Sequence, residues 1–549
     1  MKTKVSSRIT AWLISATTVV SASALSFSVS LSAVAGTVSG TSPKTSKTLY
    51  DGVSYDYYEL PSSSTYGAKD FSVVEFDLAQ RDLYLDVVSA GTYSNQLLQT
   101  SKILSNFNSK NDEGKTAIAA INGDLWMANY CHSRTKDTEY NGVVYGPVVK
   151  KTLTLPRGFN VSDGEIITSA CIPEETPYES DFYTFGVTDD YVPFMCNPGT
   201  GITVTNNTRK TEFYTEALNR LPVENATVVY TDKGCLNNYA LDDAYEVMVD
   251  VSYDYKVAHG CSITGTVSGI YGPSDSENPT MKANRIILTA RGCSQISNLS
   301  SYRVGDTVSI SVNTYDKWGH YTDLLHRIAE GVGGHIPLVI DGEAFNTNLQ
   351  NKYATSIIGY TSTGSIKFLT LDSVSSTSSS KYFPIADMPA LCRELDIVNA
   401  FLLDGGGSAT MVTLDGGSYK LQGTPSDGSE RAVVNAIILS HGPEREAQGS
   451  FTPQPTYNDD LSKLRFNSSE MMKYFLQQTP LKAEKLVSLG YSETENALEI
   501  NTVTDYDPYF YIDYSKSSVS FSADDCKYAV LTYKNPTSNS DKAVKASFF

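Results

Sequence analysis

Much of the familiar vocabulary of hydrolases and cofactor enzymes is missing from these 549 residues. Eight cysteines occur, at Cys131, Cys171, Cys196, Cys235, Cys261, Cys293, Cys392 and Cys526, and no two form a CxxC pair. No zinc knuckle or dithiol redox motif is therefore readable. The six histidines, His132, His259, His320, His326, His335 and His441, lack HExxH spacing, so a zinc hydrolase is unsupported. No GxSxG elbow marks a serine hydrolase. Positive charge is scarce, with 43 Lys and Arg against 61 Asp and Glu, a formal net charge of −18. Nucleic acids and anionic membranes reward the opposite balance and are not expected partners. After the N-terminal segment no apolar run approaches the ~18 residues that a membrane helix needs.

The first residues are the exception. Lys2, Lys4 and Arg8 precede an apolar, small-residue stretch from Ile9 to Val34, and Ala33-Val34-Ala35 reads as a cleavage site. That order predicts a secretory signal peptide over 1–35 and a secreted chain. Its removal takes three positive charges and moves the formal charge from −18 to −21. In an exported chain, disulfides among the eight cysteines are plausible, with no pairing deducible. Asn160, Asn206, Asn225, Asn298 and Asn467 stand in Asn-x-Ser/Thr sequons.

Residues 36–48, rich in Ser, Thr, Gly and Lys, read as a flexible leader. From 49 to 442 many strand-like runs mix with few helical ones, without regular alternation. This pattern predicts an α+β domain with a mixed sheet. Helices are expected over Ser94–Phe107, 321–330 and 384–395, the last with an awkward internal Pro389. Residues 443–460, with Pro443, Pro453 and Pro455, read as a linker. Residues 461–549 form a C-terminal module that opens with short helical pieces and becomes β-rich at its end.

Two strand ends carry the chemistry. "NAFLLDGGGSATM" closes a buried strand with Asp404, then Gly405, Gly406, Gly407 and Ser408. Consecutive glycines permit positive φ and can turn several amides toward one anion. The run lacks the Gly-Lys-Ser/Thr element of a Walker loop. "AAINGDLW" ends another strand in Asn122 and Asp124, with Trp126 beside them as a stacking surface for a sugar. Taken singly, each motif also fits an ordinary turn.

In order along the chain stand "AINGDLW", "ALNRLPVENATVVYTD", "NRIILTARG", "GVGGHIPLVIDGE", "IVNAFLLDGGGSATMV" and "GTPSDGSERAVVNAIIL". Together they resemble the phosphodiester glycosidase family over about residues 50–442. The resemblance implies hydrolysis at an anomeric carbon whose leaving group is a phosphate, on a phosphate-linked carbohydrate. It implies Asp404 and Asp124 as the acting carboxyls and Asn122 and Trp126 as sugar contacts. Residues 405–408 would cradle the phosphate, with Arg220 and Arg431 as its cations. No cofactor or metal is implied, and the oligomeric state is not readable. One departure stands out. Thr355 and Ser356, and then Asp372-Ser373-Val374, replace segments in which many relatives carry arginine. A non-catalytic glycan-binding or scaffold protein on the same fold is therefore the competing expectation.

Overall fold

The computed structural model describes residues 37–446, except 93, 95, 111–112, 127–129, 132–137, 141–142, 146–151, 173–174, 176–181, 235–242, 274, 276–278 and 372–381. Strand backbones alone are described from 130 to 153, and again at Leu481–Glu484, Leu486–Ser492, Ala497–Thr502 and Tyr509–Ile512. The expected signal peptide, the helical pieces expected beyond 460 and the last expected strands fall outside these residues.

Strand accounts for 47% of the residues and helix for 10%, which corrects the α+β expectation to a mostly β architecture of several sheets. The helices of the described residues are short because apolar residues recur at alternate positions over most of the chain. Four principal sheets carry the fold. One of five strands runs in the order Ser418–Leu421, Met411–Asp415, Thr116–Asn122, Asn435–His441, Leu83–Ser89. A second runs Glu165–Thr168, Asn160–Ser162, Ile328–Gly334, Tyr183–Thr188, Pro193–Cys196. The two others have eight strands each, one containing Ile397–Leu402 and the other Pro198–Asn206. The pairing of Ala217–Leu218 with Thr227–Tyr230 is parallel, and the other pairings among the described strands are antiparallel.

The second five-stranded sheet is buried on both faces. Phe185, Val187, Met195 and Val332 enter a core shared with Ile121, Ile358, Phe401 and Ile437. Val161, Ile166, Phe194 and Cys196 face the opposite way, into a core with Ile202, Val249 and Ile310. Glu330, in its central strand, staples it to the first sheet. Its Oε2 accepts from Val87 N at 2.7 Å, and its Oε1 accepts from Asp163 N at 2.8 Å.

The helix expected over Ser94–Phe107 forms as Thr100–Lys110 and starts six residues later, because Leu98–Gln99 is strand. It buries Thr100, Ile103 and Leu104, the i, i+3, i+4 stripe of an amphipathic helix. Only one turn, Thr322–Leu325, forms where a helix over 321–330 was expected. The following "IAEGVGG" is strand, held between neighbours on both sides. Pro389 proves harmless because a 3-10 turn, Ile385–Asp387, precedes the α-helix Met388–Glu394 and leaves the proline in the first turn. The expected leader is corrected as well. Val38 is fully buried, and Thr45–Tyr50 pairs with Val53–Leu60. Arg445, in the expected linker, lies 3.4 Å over the Tyr191 ring and donates to Leu78 O. Cys171, Cys196, Cys261, Cys293 and Cys392 are free thiols.

Candidate active site

The two predicted motifs meet. Asp404 N donates to Gly123 O at 2.9 Å, and Asn122 Nδ2 donates to Asp404 O at 2.8 Å. The meeting follows from sheet order. Strand Thr116–Asn122 pairs with Met411–Asp415 on one side and with Asn435–His441 on the other, so three strand ends converge.

Asn122 is the clasp of this junction and not a sugar contact. Its side chain is wholly buried, and its Oδ1 accepts from Ser356 Oγ at 2.6 Å and from Thr410 N at 3.0 Å. With Nδ2 on Asp404 O, both ends of the amide are occupied, which corrects the expected role. Ser356 is thereby part of the clasp.

Asp124 is held from three directions. Its backbone N donates to Asn435 Oδ1 at 2.9 Å, while its Oδ2 accepts from Gly158 N and from Asn160 Nδ2, each at 2.8 Å. Asn435 Nδ2 in turn donates to Asn160 Oδ1 at 2.9 Å and closes a ring of three side chains. Asp124 Oδ1 has no hydrogen-bond partner among the described residues although it is buried. An orphaned carboxylate oxygen is costly, and its presence marks a position where a ligand group would fit. Glycine makes the approach possible. A Cβ on Gly333 would lie 2.5 Å from Gly158 Cα and 2.6 Å from Asp124 Oδ2.

Burial is the main reason that the Asp124 carboxyl is pushed up to about 6, opposed by the bonds from Asn160 and Gly158 and by the charges of Arg220 and Arg157. Asp404 is also pushed up to about 6 by burial, helped by the charge of Asp124. Ser408, the Gly405 amide and Arg431 pull the other way. Ser408 Oγ sits close enough to depress the carboxyl but makes no hydrogen bond of good geometry, whereas Gly405 N donates to Asp404 Oδ1 at 2.9 Å. Two neighbouring carboxyls both raised by burial are a recurrent feature of reactive sites.

The glycine bend departs from the expected anion cradle. Gly406, at φ +63°, donates its amide to Ala354 O, and Ser408 N turns back to Gly405 O. With Gly405 N on Asp404, three of the four expected donors are engaged inside a short 3-10 turn. Tyr353 explains the first glycine, because a Cβ at Gly405 would meet its ring at 2.7 Å.

The two predicted arginines part company. Arg220 is fully buried and spends its guanidinium on Glu175 Oε1 and Oε2, at 3.0 and 2.7 Å, on Pro156 O and on Cys171 Sγ. It is a structural ion pair behind Asp124, which corrects the expectation of a phosphate contact. Arg431 is partly exposed. Its guanidinium reaches Asp427 Oδ2 at 2.7 Å, and the pair lies against Gly407, where a Cβ would stand 2.5 Å from Arg431 Nη2. Trp126 is partly exposed and bridges to Pro156, next to Arg157. His335 has its imidazole pulled down to about 4 by burial and by Arg157, and its Nδ1 is buried without a hydrogen-bond partner among the described residues.

Asn160, Asn435, Gly158 and Gly333 escaped the sequence reading. Asn435 and Gly333 lie inside the quoted motifs "AVVNAIIL" and "GVGG", so the signal was present but not assigned. Asn160 looked like a sequon, yet it is buried and unavailable for modification.

Residues 263–440 match the phosphodiester glycosidase family. The matched segment contains Gly333, Asp404 to Ser408, Arg431 and Asn435, while Asn122, Asp124, Trp126, Asn160 and Arg220 precede it. A 104-residue stretch is 36% identical to the SPbeta prophage-derived uncharacterized protein YomE of Bacillus subtilis, over 19% of this chain and 15% of that protein. Among solved structures, a hypothetical protein from Synechocystis shares the fold, with a TM-score of 0.53 at 14% identity, over 72% of this chain and 63% of that one. The chain thus spans less than two thirds of either relative. A zebrafish N-acetylglucosamine-1-phosphodiester alpha-N-acetylglucosaminidase catalytic domain is also similar, with a TM-score of 0.32 at 11% identity, over 73% of this chain and 87% of that one. No helix among the described residues is long and apolar enough to cross a membrane.

Proposed function

We propose that the chain is a secreted hydrolase that cleaves a sugar-1-phosphodiester on an extracellular glycan or wall polymer. The observation that carries the reading is the buried pair Asp124 and Asp404, held at one junction with both carboxyls raised to about 6. Water would attack the anomeric carbon as the bond to the phosphate oxygen breaks, and the phosphate would leave with the bonding electrons. A carboxylate of the pair would take the proton from water, and its partner would stabilise positive charge on the sugar ring. The leaving phosphate is already acidic and needs electrostatic support more than a proton. Arg431, partly exposed beside Gly407, would supply it.

The decisive assay is release of free sugar from a synthetic sugar-1-phosphodiester. Asp404→Asn and Asp124→Asn are each expected to lower kcat by at least ~10²-fold. Turnover at the wild-type rate in either variant rejects the role of that residue. The competing reading, a glycan-binding protein without turnover, is favoured by Thr355 and Ser356 in place of a cation and by the engaged amides of the glycine bend. Binding of phosphorylated glycans without any sugar release would select it.

A further inference from the structure

Tyrosines 214 and 315 stand out on the sheet that contains Pro198–Asn206, remote in function from the acidic pair. Tyr214 is 55% exposed and Tyr315 39% exposed, unusual for large rings on a regular strand. They belong to the strands that flank Pro198–Asn206, Thr211–Thr215 and Thr307–Asp316. Glycines in the middle strand support both rings. A Cβ on Gly199 would stand 2.3 Å from Tyr315 Cζ, and one on Gly201 would stand 3.1 Å from Tyr214 Cε2. Each ring therefore rests on bare backbone with its other side outward. Both hydroxyls converge on one acceptor, donating to Glu216 Oε1 at 3.2 Å from Tyr214 and 3.3 Å from Tyr315. Two aromatic rings anchored at the same carboxylate have lost their rotameric freedom before any ligand arrives.

The surroundings are hydroxylic. Strand alternation brings Thr203, Ser311 and Asn313 to the same outward face, all at least partly exposed. The carboxylates of Glu212 and Glu216 disfavour a polyanion. Flat aromatic faces offer their π-surfaces to C–H groups, while a carboxylate and neutral donors at their edge accept hydroxyl hydrogens. That combination suits a polyhydroxylated, uncharged chain. We propose that this face is a second carbohydrate site, at which a neutral polysaccharide lies across Tyr214 and Tyr315 with its hydroxyls on Glu216.

The site is tested with the full chain by affinity electrophoresis in gels that contain dextran, laminarin, yeast mannan or xylan, with polygalacturonate as the anionic counterpart. The wild type is expected to be retarded by at least one neutral polymer. Tyr214→Ala/Tyr315→Ala is expected to weaken that retardation at least tenfold, while Asp404→Asn leaves it unchanged, which separates this site from the hydrolytic one. No retardation by any neutral polymer, or equal retardation of the double variant, overturns the proposal. So does retardation by polygalacturonate alone. Self-association that the double variant abolishes, with no polymer binding, would make the face a contact between copies and also overturn it. A second measurement needs no variant: nitration of Tyr214 and Tyr315 by tetranitromethane, mapped by peptide mass, should fall at least several-fold in the presence of the retarding polymer. Undiminished nitration of both rejects the site.

Discussion

Arg431 is the residue on which the electrostatics of the junction turn. Its charge lowers the Asp404 carboxyl, against burial and the neighbouring Asp124 that raise it. Arg431→Gln is expected to shift the acidic limb of the kcat/KM profile to higher pH and to raise KM for a phosphodiester, read from rates between about pH 4.5 and 8 at constant ionic strength, a range that spans the ordinary to the raised carboxyl values. An unmoved limb would separate Arg431 from Asp404. The same carboxyls govern stability. Both folded values, about 6, lie above the unfolded value of 3.8, so the folded state binds more protons in that window. Stability from this source is complete below about pH 4 and is lost as pH rises through 6. Asp404→Asn should therefore gain on the wild type between pH 4 and 7, by on the order of 1–3 kcal/mol in chemical denaturation. A constant difference would contradict the assignment. Both aspartates could be read from the sequence because strand ends that carry an acid and glycine stand out. The fate of Asn122 could not, since its partners Ser356 and Thr410 lie more than two hundred residues away in the chain.

The strands and turns around Asp124 leave little room for adjustment. Gly333→Ala would drive a methyl into both Gly158 and the Asp124 carboxyl. It is expected to cost about 1–3 kcal/mol and to lower kcat more than it changes KM, measured by denaturation and steady-state kinetics. A variant of wild-type kcat would show that the approach is not needed. Arg220→Met tests the support behind the site. It strands Glu175 inside the protein, where both residues are fully buried, and should cost about 3–5 kcal/mol. Arg220→Met/Glu175→Met should recover most of that loss. At this scale the helix Thr100–Lys110 was legible from its apolar spacing. The strand Ile328–Gly334 was not, because its glycines resemble a helix stop, and only its neighbours on both sides make it a strand.

Across the molecule, the sheets are mostly antiparallel yet assembled from distant parts of the chain. Sheet count and order were beyond the reach of the sequence, since alternation identifies a strand without naming its partner. The first five-stranded sheet has the sharpest consequence. Three of its strands come from the family-matched region: Ser418–Leu421 pairs with Met411–Asp415, and these two are joined to Asn435–His441 through Thr116–Asn122, which enters between them. A polypeptide cut to 263–440 would lack the piece that joins its own edges. Expressed alone it should fail to give a cooperative melt, and a separately supplied N-terminal fragment would have to restore both the melt and sugar release. The stretch that matches the family is thus not a movable unit, because the earlier strand Thr116–Asn122 serves as its keystone.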